Sequence, residues 1–197
     1  MFDAVFVEGD LEVAVVPALL GACGLSVDPH TIINKRGIQN FWKDVPRLNK
    51  AAQHKRIFAL ADLEQEPCPS DAIASRLGGA PHPQFILRLS VRMTESWLLA
   101  DAAAMAYYLG IARKLVPADP EALPNPKQTL VNLARRSRLR HIRDGIAPEP
   151  GTSRPVGVDY LPLLSDFART RWDPDRASAS SPSLARALGR LRQYAGA

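Results

Sequence analysis

Glu8 and Gly9 directly follow a short apolar run, and Asp62 and Glu64 stand two residues apart at the end of another. Residues two apart in an extended segment face the same side, so the carboxylates of Asp62 and Glu64 are expected to converge. Glu8 joins them if the two runs form neighbouring strands. Three carboxylates at one point hold more like charge than a site leaves uncompensated, and a divalent cation resolves the excess. Ligands that are all oxygen suit Mg²⁺ or Mn²⁺ rather than Zn²⁺. The two cysteines, Cys23 and Cys68, form no Cys-x-x-Cys pair of the kind a structural zinc site uses. Gly9 lets the backbone approach a phosphate closely, and a helix starting just after it offers an anion its positive end. Each acid taken singly also fits a helix cap or a solvated carboxylate.

The elements that position these residues can be read from hydrophobic periodicity. Residues 2–7 (FDAVFV), 30–34 (HTIIN), 56–63 (RIFALADL) and 84–91 (QFILRLSV) read as strands. Helical patterns over 10–23 and 38–53 lie between the first three, and a short helix from Ser70, closed by Gly78-Gly79, precedes the fourth. This alternation predicts an α/β fold, a Rossmann-like core with a mainly parallel sheet of about four strands. Such sheets place their sites outside the carboxyl ends of the strands, where Glu8, Asp62 and Glu64 lie. The pattern then predicts one long helix from Thr94 to Leu109, ended by Gly110. Further helices are expected over 127–138, 161–171 and 184–194, with 177–183 (ASASSPS) as a flexible joint. The division is an α/β core over 1–110 and a helical, basic part over 111–197 that packs on the core or extends from it.

The net charge of +5 is uneven. Residues 1–101 carry 10 basic and 12 acidic side chains, and residues 102–197 carry 15 and 8. Lys127, Arg135, Arg136, Arg138, Arg140 and Arg143 occur without an intervening acid, a run that suits phosphate neutralisation or a solvated helix face. Lys35 and Arg36, after the second strand, are further candidates for nucleic-acid backbone contacts. The longest apolar stretch, 13–25, is interrupted by Pro17, Gly21 and Gly24, well short of the ~20 residues of a membrane span. The acidic start does not resemble a secretory signal, so a cytoplasmic location is expected. Trp42, Trp97 and Trp172 read as core residues, and the four histidines show no metal spacing. Gly78-Gly79-Ala80-Pro81 lacks the Lys-Ser/Thr ending of a phosphate loop.

Together, Val7-Glu8-Gly9 and Asp62-Leu63-Glu64 resemble the TOPRIM domain, the metal-binding module of topoisomerases, primases and the overcoming-lysogenization-defect nucleases. The segment Arg92-Met93-Thr94-Glu95-Ser96-Trp97-Leu98-Leu99-Ala100-Asp101, with Asn125-Pro126-Lys127 downstream, is similar to a family of small bacterial TOPRIM-like proteins often encoded beside ATPases in loci thought to act in phage defence. The chain departs from the wider pattern at Glu64, where the family commonly has Asp. The resemblance implies Mg²⁺- or Mn²⁺-assisted phosphodiester cleavage, with Asp62 and Glu64 holding the ion and Glu8 as a third ligand or general base. It implies that Gly9, Arg92 and Glu95 support the metal or touch the scissile phosphate. An ion pair at a helix start explains Arg92 and Glu95 equally well. The partners implied are nucleic acid, DNA foremost, and an ATPase; a homodimer is also open. Two other functions remain: a regulatory or binding subunit with a decayed site, and a hydrolase of small phosphate esters.

Overall fold

The computed structural model describes residues 1–196. It is an α/β protein on a four-stranded, all-parallel sheet. The strands β1 (Ala4–Val7), β2 (Ile32–Asn34), β3 (Ile57–Asp62) and β4 (Phe85–Ser90) alternate with α1 (Asp10–Gly21), α2 (Ile38–Ala51) and α3 (Pro69–Arg76). In β3 every residue before Asp62 is buried, as a parallel strand covered on both faces requires. β2, at one edge, is only part-buried. Val5, Val7, Phe58 and Leu60 face α1, whereas Ile57, Ala59, Ala61 and Leu87 face α2 and α3. The alternating burial of β1 thus separates two cores.

The strand order β2-β1-β3-β4 determines where the site lies. β1 crosses to β2 by way of α1 on one face, and β2 returns to β3 by way of α2 on the other. The direction of winding therefore reverses between β1 and β3, and doubly wound sheets open their ligand crevice at that reversal, beyond the carboxyl ends. The two strands pair in register from Ala4 with Ile57 to Val7 with Leu60. Glu8 and Asp62 leave the sheet side by side.

After β4 the chain is helical: α4 (Thr94–Ala100), α5 (Ala102–Leu109), α6 (Pro126–Ala134), α7 (Arg140–Ile146), α8 (Tyr160–Thr170), α9 (Pro174–Ser178) and α10 (Pro182–Ala195). Leu130, Ile142, Leu164 and Leu188 from this half join Val16, Leu19 and Leu20 of α1 in one apolar cluster, so it forms the layer that covers α1. Trp97 and Trp172 are buried in the same layer.

Several sequence expectations need correction. The single helix from Thr94 to Leu109 is broken at Asp101, whose backbone (φ −82°, ψ 64°) leaves the helical region while its side chain binds Arg176. The helix over 127–138 stops at Ala134, and the separate helix α7 follows. The supposed flexible joint over 177–183 is built into the fold. Ala177 belongs to α9, Ser181 caps α10, and Ser181 and Ser183 are buried against the Glu121 carboxylate. The helix expected over 10–23 does form, as α1, with Pro17 inside it on the exposed side. Among the described residues no helix is long and apolar enough to cross a membrane.

Candidate functional site

Asp62 ends β3, and its carboxylate reaches over the end of β4 to the start of α4. Its Oδ1 accepts from Ser90 Oγ (2.7 Å), Thr94 N–H (2.8 Å) and Thr94 Oγ1 (2.9 Å). Glu8, one residue beyond β1, accepts the Asp62 N–H on Oε2 at 3.0 Å, which ties the two strand ends together. Glu12 lies one turn into α1 and folds back so that its Oε2 accepts the Gly9 N–H at 2.9 Å, half of a capping box. A Cβ on residue 9 would stand 3.1 Å from that oxygen, so glycine makes room for the carboxylate. Glu95, in the first turn of α4, is 2% exposed; Tyr160 Oη of α8 donates to its Oε1 at 2.7 Å, and Lys127 Nζ of α6 lies 3.5 Å from the same atom.

Electrostatics join these four acids into one site. Burial, and then the charges of Glu12 and Glu95, hold the Asp62 carboxyl well above the usual aspartate range, outweighing the hydrogen bonds from Ser90 and Thr94. Glu12, 5% exposed, is raised by burial and by the charges of Glu95 and Glu8. Burial, helped by the charges of Asp62 and Glu64, raises Glu8 to about 7. Lys127 is the cation that answers them. Burial pulls its ammonium down, but Glu95, Asp62 and Glu12 together raise it above the usual lysine value. The site thus carries four carboxylates against one ammonium.

The sequence-predicted residues divide. Glu8, Asp62 and Glu95 come together, and Lys127 joins them as the ion-pair partner of Glu95. Glu64 does not pair with Asp62 as predicted. The strand ends at Asp62, Leu63 turns into the core, and Glu64 adopts φ 53°, so alternation fails at the residue it was meant to place. Glu64 lines a separate recess of about 310 Å³ with Ile38, Trp42 and Arg76, although its charge is felt at Glu8. Arg92 does not pair with Glu95: its guanidinium donates to the carbonyls of Glu64 (3.1 Å) and Glu66 (3.2 Å) and holds the loop after β3. The Gly9 amide is already used by Glu12. Lys35 is bound to Asp44, while Arg36 is exposed at φ 55°.

Arg135, Arg136 and Arg138 stand exposed between α6 and α7 and form no ion pair among the described residues. Arg135 lies roughly 12 Å along the α6 axis from Lys127.

Glu12, Thr94, Ser90 and Tyr160 are the residues that sequence reasoning missed. Glu12 carried a signal, since it stands three residues after Gly9, at the capping-box position, on the stripe shared with Val15, Val16 and Leu19. An acid on an apolar stripe needs a reason.

The donor set matches a hard divalent cation, because all four groups are carboxylates. Each commits one oxygen to a protein donor, and none of their atoms is among the buried side-chain atoms left without a partner. Among the described residues, no group of three or more His, Cys, Asp or Glu side chains is arranged to hold a metal ion as it stands. Comparison of the chain with family models, curated proteins and solved structures finds no match.

Proposed function

We propose that the chain is a Mg²⁺- or Mn²⁺-dependent hydrolase of phosphodiester bonds in nucleic acid, with a TOPRIM-like site formed by Glu8, Glu12, Asp62 and Glu95. The observation that carries this reading is the charge imbalance at the winding reversal of the sheet: three carboxyls are raised by burial and by one another, with one lysine nearby. Like charge confined in this way is the condition that a divalent cation relieves. When bound, such an ion neutralises a phosphate and lowers the pKa of water.

The chain's own residues have separable roles. Asp62, fixed by Ser90 and Thr94, and Glu12, fixed by Gly9, are the most rigidly held ligands. Glu8, raised to about 7, sits where a group can accept a proton near neutral pH and serves as base or ligand. Tyr160 and Lys127 orient Glu95, and Lys127 also offers a positive charge to a phosphate beside the acids. The exposed arginines beyond α6 extend that positive charge along a nucleic-acid backbone. DNA is the proposed substrate, and a role in phage defence with an ATPase partner follows from the same resemblance.

The test is incubation with supercoiled plasmid in Mg²⁺ or Mn²⁺. Nicking that chelation and Asp62→Ala abolish, and that Glu64→Gln retains, supports the reading. Hydrolysis of a small phosphate diester with DNA and RNA untouched assigns the site to small esters instead. A second reading, a binding subunit with a decayed site, is favoured by the left-handed turn at Glu64, which removes the second acid of the expected pair; DNA binding without cleavage in either metal would select it.

A further inference from the structure

The outer edge of β4, one of the two edges of the sheet, is open over part of its length. Ile57 N–H donates to Gln84 O and Leu63 N–H to Ser90 O, both at 2.9 Å, so the even-numbered residues of β4 face β3 and the odd-numbered ones face outward. Of the outward amides, Phe85 N–H is taken by His82 O (2.9 Å) and Val91 N–H by Ser183 Oγ (3.4 Å). Leu87 and Leu89 N–H have no protein partner among the described residues. A groove of about 620 Å³ runs along this edge between Ile73 of α3, Leu77 just after it, Phe85 and Leu87 of β4 and Arg190 of α10, and no acidic residue lines it.

The groove is also positively charged. Arg88, Arg186 and Arg190 lie together and form no ion pair among the described residues. Arg88 Nη1 donates to the outward Leu87 carbonyl at 3.3 Å, while its Nε is buried without a hydrogen-bond partner. Burial, reinforced by the charges of Arg190 and Arg186, lowers its guanidinium below the usual arginine value. Arg186, Gly189 and Arg190 share a face of α10. A Cβ at Gly189 would meet nothing within 4 Å, so no contact inside the chain explains a glycine in the middle of that helix.

We propose that this groove docks an extended acidic segment of a partner protein, which adds to the outer edge of β4 as a strand and sets its carboxylates against Arg88, Arg186 and Arg190. Free edge amides call for a peptide backbone, the apolar walls for alternate side chains, and the unpaired arginines for negative charge. The proposal does not rest on the metal-dependent reading.

The test is fluorescence anisotropy of the full chain with three peptides: alternating valine and glutamate, its lysine counterpart, and the acidic peptide with N-methylated amides. The acidic peptide is expected to bind and the lysine peptide not to. Binding should weaken at least roughly tenfold on N-methylation and in the Arg186→Glu/Arg190→Glu double variant. Both arginines are free of ion pairs, so the double variant should keep the wild-type melting midpoint. Gly189→Phe should block binding by bulk alone. Failure of the acidic peptide to bind at millimolar concentration, or equal binding by the double variant or the N-methylated peptide, overturns the proposal. So does preferential displacement by a single-stranded oligonucleotide, or a dimer of the free chain that the double variant disrupts.

Discussion

α4 carries a buried carboxylate near each end, and the fold treats the two in opposite ways. At the far end Asp101, 1% exposed, is gripped by both arms of Arg176 at 2.6 Å and also accepts the Asp173 N–H at 3.0 Å. At the near end Glu95 shares one lysine with Glu8, Glu12 and Asp62. The chain can therefore neutralise an acid whose task is to join α4, α5 and α9. The uncompensated charge at the other end is a property of that site, and it is the feature on which the proposed function rests.

Substitutions can break this comparison. The largest effect is expected from Arg176→Ala, which strands Asp101 without its cation and should cost about 3 kcal/mol in urea unfolding. Asp101→Asn, which keeps only one of the two oxygens that accept from Arg176, should cost about 2 kcal/mol. The same acid-to-amide change at the other end should have the opposite sign. Glu12→Gln keeps an acceptor for the Gly9 N–H and removes a like charge, so without divalent metal at pH 8 it should stabilise the chain by about 1 kcal/mol. If both amide variants lose stability alike, the two ends do not differ as described.

The pH dependence sharpens the contrast. Glu8 is raised from 4.5 to about 7. Between those values the folded chain keeps a proton that the unfolded chain has released, so the contribution of Glu8 is complete below 4.5 and is lost as pH rises toward about 7. Glu8→Gln should remove that part of the decline, on the order of 1 kcal/mol once solvent screening at a part-buried site is allowed for. The comparison to make is wild type against variant across this window in chelator. The smallest effect is expected from Glu64→Gln, less than about 0.5 kcal/mol, because its carboxylate is part-exposed and no ion pair holds it among the described residues.

What the sequence made legible, and what it did not, follows from the range of the interactions. The strands that lead into Glu8 and end at Asp62 were visible because short apolar runs bounded by turn residues read locally, and parallel topology then placed both acids at one edge. Glu64 was misplaced because period-two alternation holds only while the backbone stays extended, and it turns left-handed one residue past Leu63. Asp101 was hidden inside a continuous helical pattern, since the break depends on Arg176, distant in sequence. Lys127 read as one more basic residue because its carboxylate partner lies on another helix. Tyr160 gave no signal at all for the same reason.

The central claim is that the four acids form a divalent cation site, and the most direct measurement is a Mn²⁺ and Mg²⁺ titration of thermal stability on wild type, Asp62→Ala and Glu64→Gln. An ion that binds only the folded chain stabilises it by about 2.7 kcal/mol at a hundred times its dissociation constant. The expected result is a midpoint that climbs with cation concentration in wild type and Glu64→Gln and stays flat in Asp62→Ala. A midpoint that does not move in wild type, or that climbs equally in Asp62→Ala, would contradict it.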